Sequence, residues 1–246
     1  MILISLFNME LFYFPELTEN QNYIRLTGDE FHHLSKVLRI KLGDEIFFTN
    51  GNGIIAKARL IKITRYDCES EILEFKRYNR SKLKFVALVP ILKQEERFEF
   101  ALEKLTELGI DEIQPFISQR TIKKNFRFER AQKILITAIK QSFNPFLPKL
   151  RNPIEFAEFI DELNSDDLVF FGEREGRQLL SLSKKDFDSD LKRIILTVGP
   201  EGAFTDEELN LLKQKNSIPL KLGEYRLRSE TAIICLASLL KSFFND

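Results

Sequence analysis

Two short stretches near the end of the chain combine glycine with polar and charged residues in the order expected of ligand-binding loops. Residues 199–202 (Gly-Pro-Glu-Gly) follow the apolar, strand-like run 194–198 and precede residues 205–208 (Thr-Asp-Glu-Glu), a capping box that opens a helix. Residues 222–228 follow a second short strand in the same way, and a helix is predicted from Ser229. Open α/β sheets bind ligands where the carboxyl ends of strands pass into such loops. The two stretches therefore predict a site in which main-chain groups contact a ligand.

The composition of the first stretch narrows the class of ligand. The chain has neither the Gly-x-Gly-x-x-Gly of dinucleotide-binding loops nor the Gly-Lys-Ser/Thr ending of triphosphate-binding loops. Glu201 would repel a phosphate, so a ligand with hydroxyls, ring nitrogens and a positive centre suits this stretch better than a polyphosphate does. On the residues alone, the alternative that Gly199 and Gly202 are only turn glycines stays open.

A family resemblance follows from the order of the motifs. Residues 199–202, 222–223 and 227–232 (Leu-Arg-Ser-Glu-Thr-Ala) resemble the C-terminal signature of the RsmE family, the small-subunit ribosomal RNA uridine-N3 methyltransferases of the SPOUT class. The likeness covers the chain from residue 9 onward and includes residues 32–33 (His-His) and 37–39 (Val-Leu-Arg). Three departures are Ala203 for a usual glycine, Tyr225 for the first arginine of an Arg-x-x-Arg pair with Arg226 one place later, and Asn144 for a frequent arginine.

The resemblance implies an α/β fold: a SPOUT parallel sheet with a C-terminal trefoil knot, preceded by a small PUA-like β-barrel. It implies an RNA-binding barrel over residues 9–80 and a methyltransferase domain with the knot over residues 81–246. Enzymes of this class generally act as homodimers. Apolar residues occupy more than one stripe of the predicted helix 229–244, which favours a helix covered by its own sheet and by a second subunit. A helix buried within a monomer is the alternative.

The resemblance also implies the activity, which is S-adenosylmethionine-dependent methylation of N3 of a specific uridine in 16S ribosomal RNA of the small subunit. Loss of the N3 proton puts negative charge on the uracil oxygens O2 and O4, so a fixed cation beside them would stabilise the transition state. Arg228 is the candidate, with Arg226 as the alternative. Glu230 is a candidate base, or instead a helix cap or an anchor for an arginine. The expected cofactor contacts are Gly172, Thr197, Val198, Gly199, Glu201, Gly202, Leu222, Gly223 and Leu227.

The net formal charge of the chain is zero, but positive charge is concentrated in residues 120–151, which hold nine Lys or Arg against one acidic residue, a net +8. Such asymmetry favours a polyanion as partner. Acidic neighbours in the fold could instead neutralise the stretch. With the resemblance, the expected RNA contacts are His32, His33, Arg39, Arg120, Lys123, Lys124 and Lys140. For the histidine pair, a packed histidine in place of an RNA contact stays open.

The hydrophobic pattern predicts the elements that position these residues. Short strands with one helix near residues 29–39 are expected up to residue 80, and residues 50–53 (Asn-Gly-Asn-Gly) predict a hairpin turn. Strands and helices then alternate, which predicts a parallel sheet with helices on both faces. The predicted strands are 83–92, 113–117, 168–171, 194–198 and 218–222, and the predicted helices are 95–108, 128–143 and 229–244, the first of which ends at Gly109.

Composition sets outer bounds. A chain of 246 residues, 43% hydrophobic and 30% charged, is typical of a soluble protein with one or two cores. Cys68 and Cys235 lie far apart and are predicted to be buried thiols in a reducing cytoplasm, and with two histidines they form no metal-type spacing. The apolar residues 1–8 are too short to span a bilayer and are expected to precede the fold.

Two other functions stay open on the sequence. A SPOUT methyltransferase that acts on a ribose 2′-oxygen or on a base of transfer RNA would also keep residues 199–202. A non-catalytic RNA-binding protein with a decayed knot would account for Ala203 and Tyr225. The sequence does not select the target nucleotide or distinguish free RNA from an assembled subunit as substrate.

Overall fold

A computed structural model of the chain describes residues 10–32, 34, 38, 40–122, 125–187, 191–215 and 217–245. The chain divides into two compact units. The first unit contains the residues up to Arg80 together with residues 136–147, and the second contains residues 81–135 and the chain from Pro148 onward. The predicted bounds, 9–80 and 81–246, did not place residues 136–147 with the first unit.

The first unit is a five-stranded sheet with one short helix. Its strands are β1 (Leu11–Tyr13), β2 (Tyr23–Thr27), β3 (Glu45–Thr49), β4 (Ile54–Ile63) and β5 (Asp67–Arg77), and α1 (Gly28–His32) follows β2. The order is β1-β3-β4-β5-β2, with antiparallel pairs except for β1 and β3. No ladder between described residues joins the edge strands β1 and β2, so closure into a barrel stays a prediction. The core includes Phe12, Ile24, Ile46, Phe48 and Leu60.

The hairpin predicted at residues 50–53 is confirmed, because β3 and β4 pair antiparallel on either side of it. The Asn50 side chain accepts a hydrogen bond from the N–H of Asn52 at 2.8 Å and closes the turn. Gly53 has φ +91°, donates its N–H to the Pro145 carbonyl at 2.9 Å and accepts the Tyr78 N–H at 2.7 Å. This one glycine therefore joins the turn, the end of β5 and the segment 136–147.

The second unit is a parallel sheet flanked by helices. Its strands are β6 (Lys84–Pro90), β7 (Glu112–Ile117), β8 (Lys149–Leu150), β9 (Ile154–Glu155), β10 (Asp167–Arg177), β11 (Arg193–Thr197) and β12 (Ile218–Leu220). Its helices are α2 (Glu95–Glu107), α3 (Phe128–Ser142), α4 (Phe156–Asp161), α5 (Asp206–Gln214) and α6 (Ser229–Asn245), and α3 from Ile136 onward groups with the first unit. The order is β12-β10-β11-β6-β7-β8, β9 pairs with β7, and every pair is parallel, which confirms the predicted sheet.

Alternation along the strands of the second unit buries both faces of the sheet, because successive side chains point to opposite sides. One face packs Val86, Leu88 and Ile195 with Phe204 from the segment after β11. On the other face, Phe85 of β6 and Phe170 of β10 contact Phe244 of α6, with ring centroids 6.5 and 6.0 Å apart. Residues on both faces of the strands are apolar, as expected for a parallel sheet covered on both sides.

The strand order places three strand ends side by side. The chain leaves β10, forms β11 on one side of it, and returns as β12 on the other side. Because all three strands are parallel, their carboxyl ends lie at the same edge of the sheet. Residues 198–204, here called the first loop, and residues 221–228, here called the second loop, therefore start from this edge on either side of β10.

Some predicted bounds differ from the observed ones. β10 extends to Arg177, because its register shifts between Gly172 and Arg177, both of which pair with Leu220. β12 ends at Leu220 and leaves residues 221–222 to the second loop. Helix α2 ends before Gly109, whose φ is +71°, as predicted. Of the helix predicted near residues 29–39, Gly28–His32 is helical, and residues 33, 35–37 and 39 lie outside the described residues.

The two cysteines differ in burial. Cys68 is buried as predicted, and burial raises the pKa of its thiol to about 11. The prediction of a buried Cys235 is wrong, since that residue is only half-buried, although burial raises the pKa of its thiol as well. None of the helices in the described ranges has the length and apolarity needed to cross a bilayer. Within the same ranges, no three histidine, cysteine or acidic residues are grouped so as to hold a metal ion.

We expect Gly53→Ala to destabilise the protein by about 3 kcal/mol and Gly43→Ala by only about 1 kcal/mol. Both glycines have φ near +90°, so both variants carry the same backbone strain. A Cβ at Gly53 would lie 2.6 Å from the Tyr78 carbonyl oxygen and 2.8 Å from the Phe146 ring, whereas one at Gly43 meets no atom within 4 Å. Urea unfolding of the two variants measures the difference, and equal losses would contradict this account of the turn.

Candidate functional site

The first loop connects β11 to α5 and is held by the predicted capping box. The Thr205 hydroxyl accepts the Glu208 N–H at 3.2 Å, and the Glu208 carboxylate accepts the Thr205 N–H at 2.8 Å. The other carboxylate oxygen of Glu208 accepts the N–H of Gln119 at 3.1 Å. Glu208 is 2% exposed, so this carboxylate is buried with hydrogen-bond partners on both oxygens. It fixes the end of the first loop against the segment that follows β7.

Two further contacts hold the first loop against neighbouring segments. The Glu201 carboxylate accepts the N–H of Lys93, in the segment between β6 and α2, at 2.9 Å. The Arg120 guanidinium donates to the carbonyl oxygens of Gly202 and Phe204, the latter at 3.3 Å. Glu201 therefore binds backbone on one side, and Arg120, which is exposed and was predicted as an RNA contact, holds the loop on the other.

The second loop and the start of α6 both contact main-chain carbonyls of the first loop. The Ser229 hydroxyl, at the start of α6, donates to the Gly199 carbonyl at 2.8 Å, and the Arg226 guanidinium reaches the Glu201 carbonyl at 3.5 Å. A Cβ added to Gly172 of β10 would lie 2.9 Å from Leu222 and 3.1 Å from Val198, so this glycine lies between the two loops. The structure thus brings together the two loops that the sequence predicted to form one site.

The chain path inside the first loop requires small residues. A Cβ at Gly199 would lie 2.7 Å from the Phe204 nitrogen, which leaves no room for a side chain there. Ala203 has φ +59°, and its N–H donates to the Pro200 carbonyl at 2.9 Å. Ala203, in place of a usual glycine, therefore carries backbone strain, because its φ lies in the left-handed region, which costs an alanine about 1–2 kcal/mol.

Two buried oxygen atoms at the edge of the site have no hydrogen-bond partner among the described residues. They are Oγ1 of Thr197, at the end of β11, and Oε2 of Glu230, in the first turn of α6. The other Glu230 oxygen lies 3.6 Å from Nε of Arg97 in α2. Buried polar groups are nearly always paired in native proteins, so orphaned ones in a loop site indicate a place for a polar ligand. Of the roles predicted for Glu230, the structure favours the anchor for an arginine, and that arginine is Arg97.

The remaining charged groups of the second loop face solvent. Arg226 and Arg228 are exposed, and the Arg228 guanidinium makes no hydrogen bond or ion pair within the described part of the chain. Gly223 is exposed, and a Cβ there would meet nothing within 4 Å. Tyr225 is 89% exposed. The second loop therefore has a net positive charge at the rim of the site, because its one acidic residue, Glu224, is paired with Lys221.

Four of the nine basic residues in the stretch 120–151 pair with acidic residues from outside it. The ion pairs are Arg127 with Glu95, Arg130 with Glu99, Lys140 with Glu30 and Arg151 with Glu112. The sequence left this alternative open, and the structure favours it. Lys140 is 17% exposed, contacts Glu30 at 2.8 Å and lies 5.7 Å from the Phe12 ring centroid. Its charge stabilises the first unit, which argues against the predicted RNA contact.

The other predicted RNA contacts have mixed outcomes. His32 lies at the end of α1 and is exposed, so it is not the packed histidine that the sequence left open. His33, Arg39, Lys123 and Lys124 lie outside the described residues. Asn144, in place of a frequent arginine, accepts the N–H of Phe146 at 3.0 Å through its side chain and stabilises a turn.

Three residues of the site, Lys93, Arg97 and Gln119, were not predicted from the sequence. Each reaches it through a contact between residues distant in the chain, with Glu201, Glu230 and Glu208 respectively. The only sequence feature that could have indicated them is their position shortly after predicted parallel strands. Segments that follow parallel strands meet at one edge of the sheet, and Lys93 and Gln119 follow β6 and β7 directly.

Comparisons with known proteins match this architecture over most of the chain. Residues 79–241 match the model of the RNA methyltransferase domain family, and residues 26–73 match the model of the RNA methyltransferase PUA domain family. A relative from Rickettsia conorii, ribosomal RNA small subunit methyltransferase E, is 30% identical over 89% of this chain and 88% of its own length. The protein of that name from Synechocystis sp. is 30% identical over 85% of this chain and 69% of its own length.

A solved structure agrees with the whole fold. The ribosomal RNA small subunit methyltransferase E from Neisseria gonorrhoeae, crystallised with S-adenosyl methionine, has a TM-score of 0.82, is 27% identical, and covers 95% of this chain and 97% of its own. These findings confirm the expected α/β fold with a parallel sheet preceded by a PUA-like domain.

We expect Ala203→Gly to stabilise the protein by about 0.5–1 kcal/mol, because relief of the left-handed strain outweighs the added freedom of glycine in the unfolded chain. Ala232→Gly is the matched control. The same substitution within α6 should destabilise by about 1 kcal/mol. Urea unfolding gives both values, and a loss of stability in Ala203→Gly would show that the first loop does not carry this strain.

Proposed function

The chain belongs to the family of ribosomal RNA small subunit methyltransferase E proteins, and from this membership we propose that it transfers a methyl group from S-adenosylmethionine to N3 of a uridine in 16S ribosomal RNA. The observation that carries the proposal is that the first loop is contacted by the second loop, through Arg226 at the Glu201 carbonyl, and by the start of α6, through Ser229 at the Gly199 carbonyl. Both loops start at the carboxyl edge of a parallel sheet, where open α/β sheets bind ligands.

The residues of the site fit S-adenosylmethionine. The buried, unpartnered oxygens of Thr197 and Glu230 offer acceptors to a ligand rich in hydroxyl and amino groups. At Gly223 the absence of a side chain leaves main chain open to close approach. We assign main-chain and side-chain contacts with the cofactor to Thr197, Val198, Gly199, Glu201, Gly202, Leu222, Gly223 and Leu227, whereas Gly172 spaces the loops. When bound, the cofactor supplies an electrophilic methyl group on a positively charged sulfur.

The chain must stabilise the charge that appears on uracil when N3 loses its proton. A guanidinium beside O2 or O4 would do so, and Arg228 is exposed and without a partner among the described residues. Arg226 already reaches the Glu201 carbonyl at 3.5 Å and is better placed to hold the two loops together. The Glu230 carboxylate faces Arg97, so we assign it to positioning α6 rather than to taking the proton.

N3 lies on the Watson–Crick edge of uracil, so the target base must be unpaired or extruded to react. We propose that the exposed His32 of the first unit, together with Arg39, Lys123 and Lys124, contacts the surrounding RNA. Since four basic residues of the stretch 120–151 are paired with acids, the phosphate contacts come from fewer cations than the net charge of that stretch implies.

Three finer features belong to the same proposal. The C-terminal segment forms a trefoil knot, for which the return of the chain from β11 to β12 across β10 supplies the arrangement of strands. The enzyme acts as a homodimer, because α6 keeps half-buried apolar residues such as Ile234 and Leu239 outside its buried stripe. It works in the cytoplasm on the small ribosomal subunit.

Nucleoside analysis of ribosomal RNA tests the proposed reaction. Small-subunit RNA from cells lacking the gene should lose one 3-methyluridine by mass spectrometry, and purified protein with S-adenosylmethionine should restore it. Loss of a 2′-O-methyl nucleoside instead, or no change in any nucleoside, would contradict the proposed reaction.

We expect Arg228→Ala to lower turnover by about 100-fold or more, because it removes the cation that stabilises the uracil anion. Its affinity for S-adenosylmethionine by calorimetry should stay within about threefold of wild type, since the Arg228 side chain is not among the assigned cofactor contacts. Arg226→Ala serves as the comparison and should lose less turnover. Turnover of Arg228→Ala close to that of wild type would overturn the assignment.

A further inference from the structure

We propose that Tyr225 is a stacking platform for an unpaired base of the RNA strand that carries the target uridine. The inference rests on the proposed function and adds a residue that selects single-stranded RNA. Aromatic side chains bind unpaired nucleic acids by stacking on the faces of bases, independently of base identity. Tyr225 has the chemistry, the exposure and the position for this role.

The exposure of Tyr225 is unusual for a residue of its size. Its exposed fraction is 89%, and among the large hydrophobic side chains that the structure describes only Leu180 is more exposed. Single exposed apolar residues are ordinary on protein surfaces. Tyr225 differs because it belongs to the second loop, two residues after Gly223 and three before Arg228.

Chain geometry places the Tyr225 ring within reach of a nucleotide bound at the site. Three residues span at most about 11 Å when fully extended, so the Cα atoms of Tyr225 and Arg228 lie no farther apart than that. Successive nucleotides of a strand are about 3.4 Å apart when stacked. A base one to three nucleotides from the uridine can therefore lie over the ring while that uridine meets Arg228.

The charges around Tyr225 favour RNA as the occupant. Arg226 and Arg228 follow it and are exposed, whereas the carboxylate of the preceding residue, Glu224, is paired with Lys221 at 3.1 Å. The exposed Glu201 carboxylate of the first loop accepts the N–H of Lys93. An exposed ring beside cations, with the adjacent acidic charge balanced, suits a base and its phosphates better than it suits a second copy of the same cationic loop.

The absence of tryptophan from the chain allows a direct test. Tyr225→Trp introduces a single tryptophan, whose fluorescence should be quenched when a ten-nucleotide oligouridylate is added. A decamer of abasic ribose phosphates keeps the charges without the bases and should leave the fluorescence unchanged. Phe100→Trp is the matched control, because Phe100 is also exposed, at 47%, and lies beside Lys104, but belongs to α2 and not to either loop, and it should not respond.

Kinetics provide the second readout. Tyr225→Ala should raise KM for small-subunit RNA by about 10-fold, whereas Tyr225→Phe, which keeps the ring, should stay within about twofold of wild type. The affinity of both variants for S-adenosylmethionine should be unchanged. Equal quenching of Tyr225→Trp by the abasic decamer would overturn the proposal. A fluorescence change that depends on protein concentration and not on RNA would also overturn it, because it would show that the residue contacts a second copy of the protein. Wild-type methylation with an unchanged KM in Tyr225→Ala would overturn this inference alone and leave the proposed reaction standing.

Discussion

The site depends on one main-chain group, the carbonyl of Gly199, which accepts the Ser229 hydroxyl at 2.8 Å. This hydrogen bond joins the loop after β11 to the start of α6. The bond requires glycine at position 199, because a side chain there would collide with the Phe204 nitrogen and force the first loop apart. The parallel order β12-β10-β11 brings the two loops to the same edge, and Gly172 of β10 keeps that edge narrow.

The charge at the surface of the site depends on which partners its carboxylates bind. Glu201, Glu208 and Glu230 lie in or beside the two loops, and each meets a partner inside the second unit. Those partners are backbone N–H groups for the first two and the Arg97 guanidinium for the third. Glu208 and Glu230 are buried, and the exposed charges of the second loop are the cations Arg226 and Arg228 together with Glu224, which is paired with Lys221. A surface of this kind can receive RNA although the net charge of the chain is zero.

Local sequence patterns were sufficient to predict most elements of the second unit. The capping box at Thr205 and Glu208, the helix end at Gly109 and the hairpin at Asn50 follow from chemistry within a few residues, and all three are present. The order of strand, loop and helix indicated that both loops bind a ligand, and the family resemblance identified that ligand as a shared cofactor.

The contacts missed by the sequence analysis are those between residues far apart in the chain. The pairs of Glu201 with Lys93 and of Glu230 with Arg97 join residues more than one hundred positions apart, and no spacing rule signals them. The charge of the basic stretch was misleading for the same reason, since Glu95 and Glu99 reach it from a different helix. The extension of β10 to Arg177 depends on a register shift against β12 that its own sequence does not reveal.

Hydrogen exchange of the two loops, with and without S-adenosylhomocysteine, tests the central claim most directly. If the loops joined at Gly199 form one cofactor site, the amides of residues 198–204 and 222–230 should both exchange at least about tenfold more slowly when the ligand is bound. Binding that protects only one loop, or that protects only the first unit, would contradict the account.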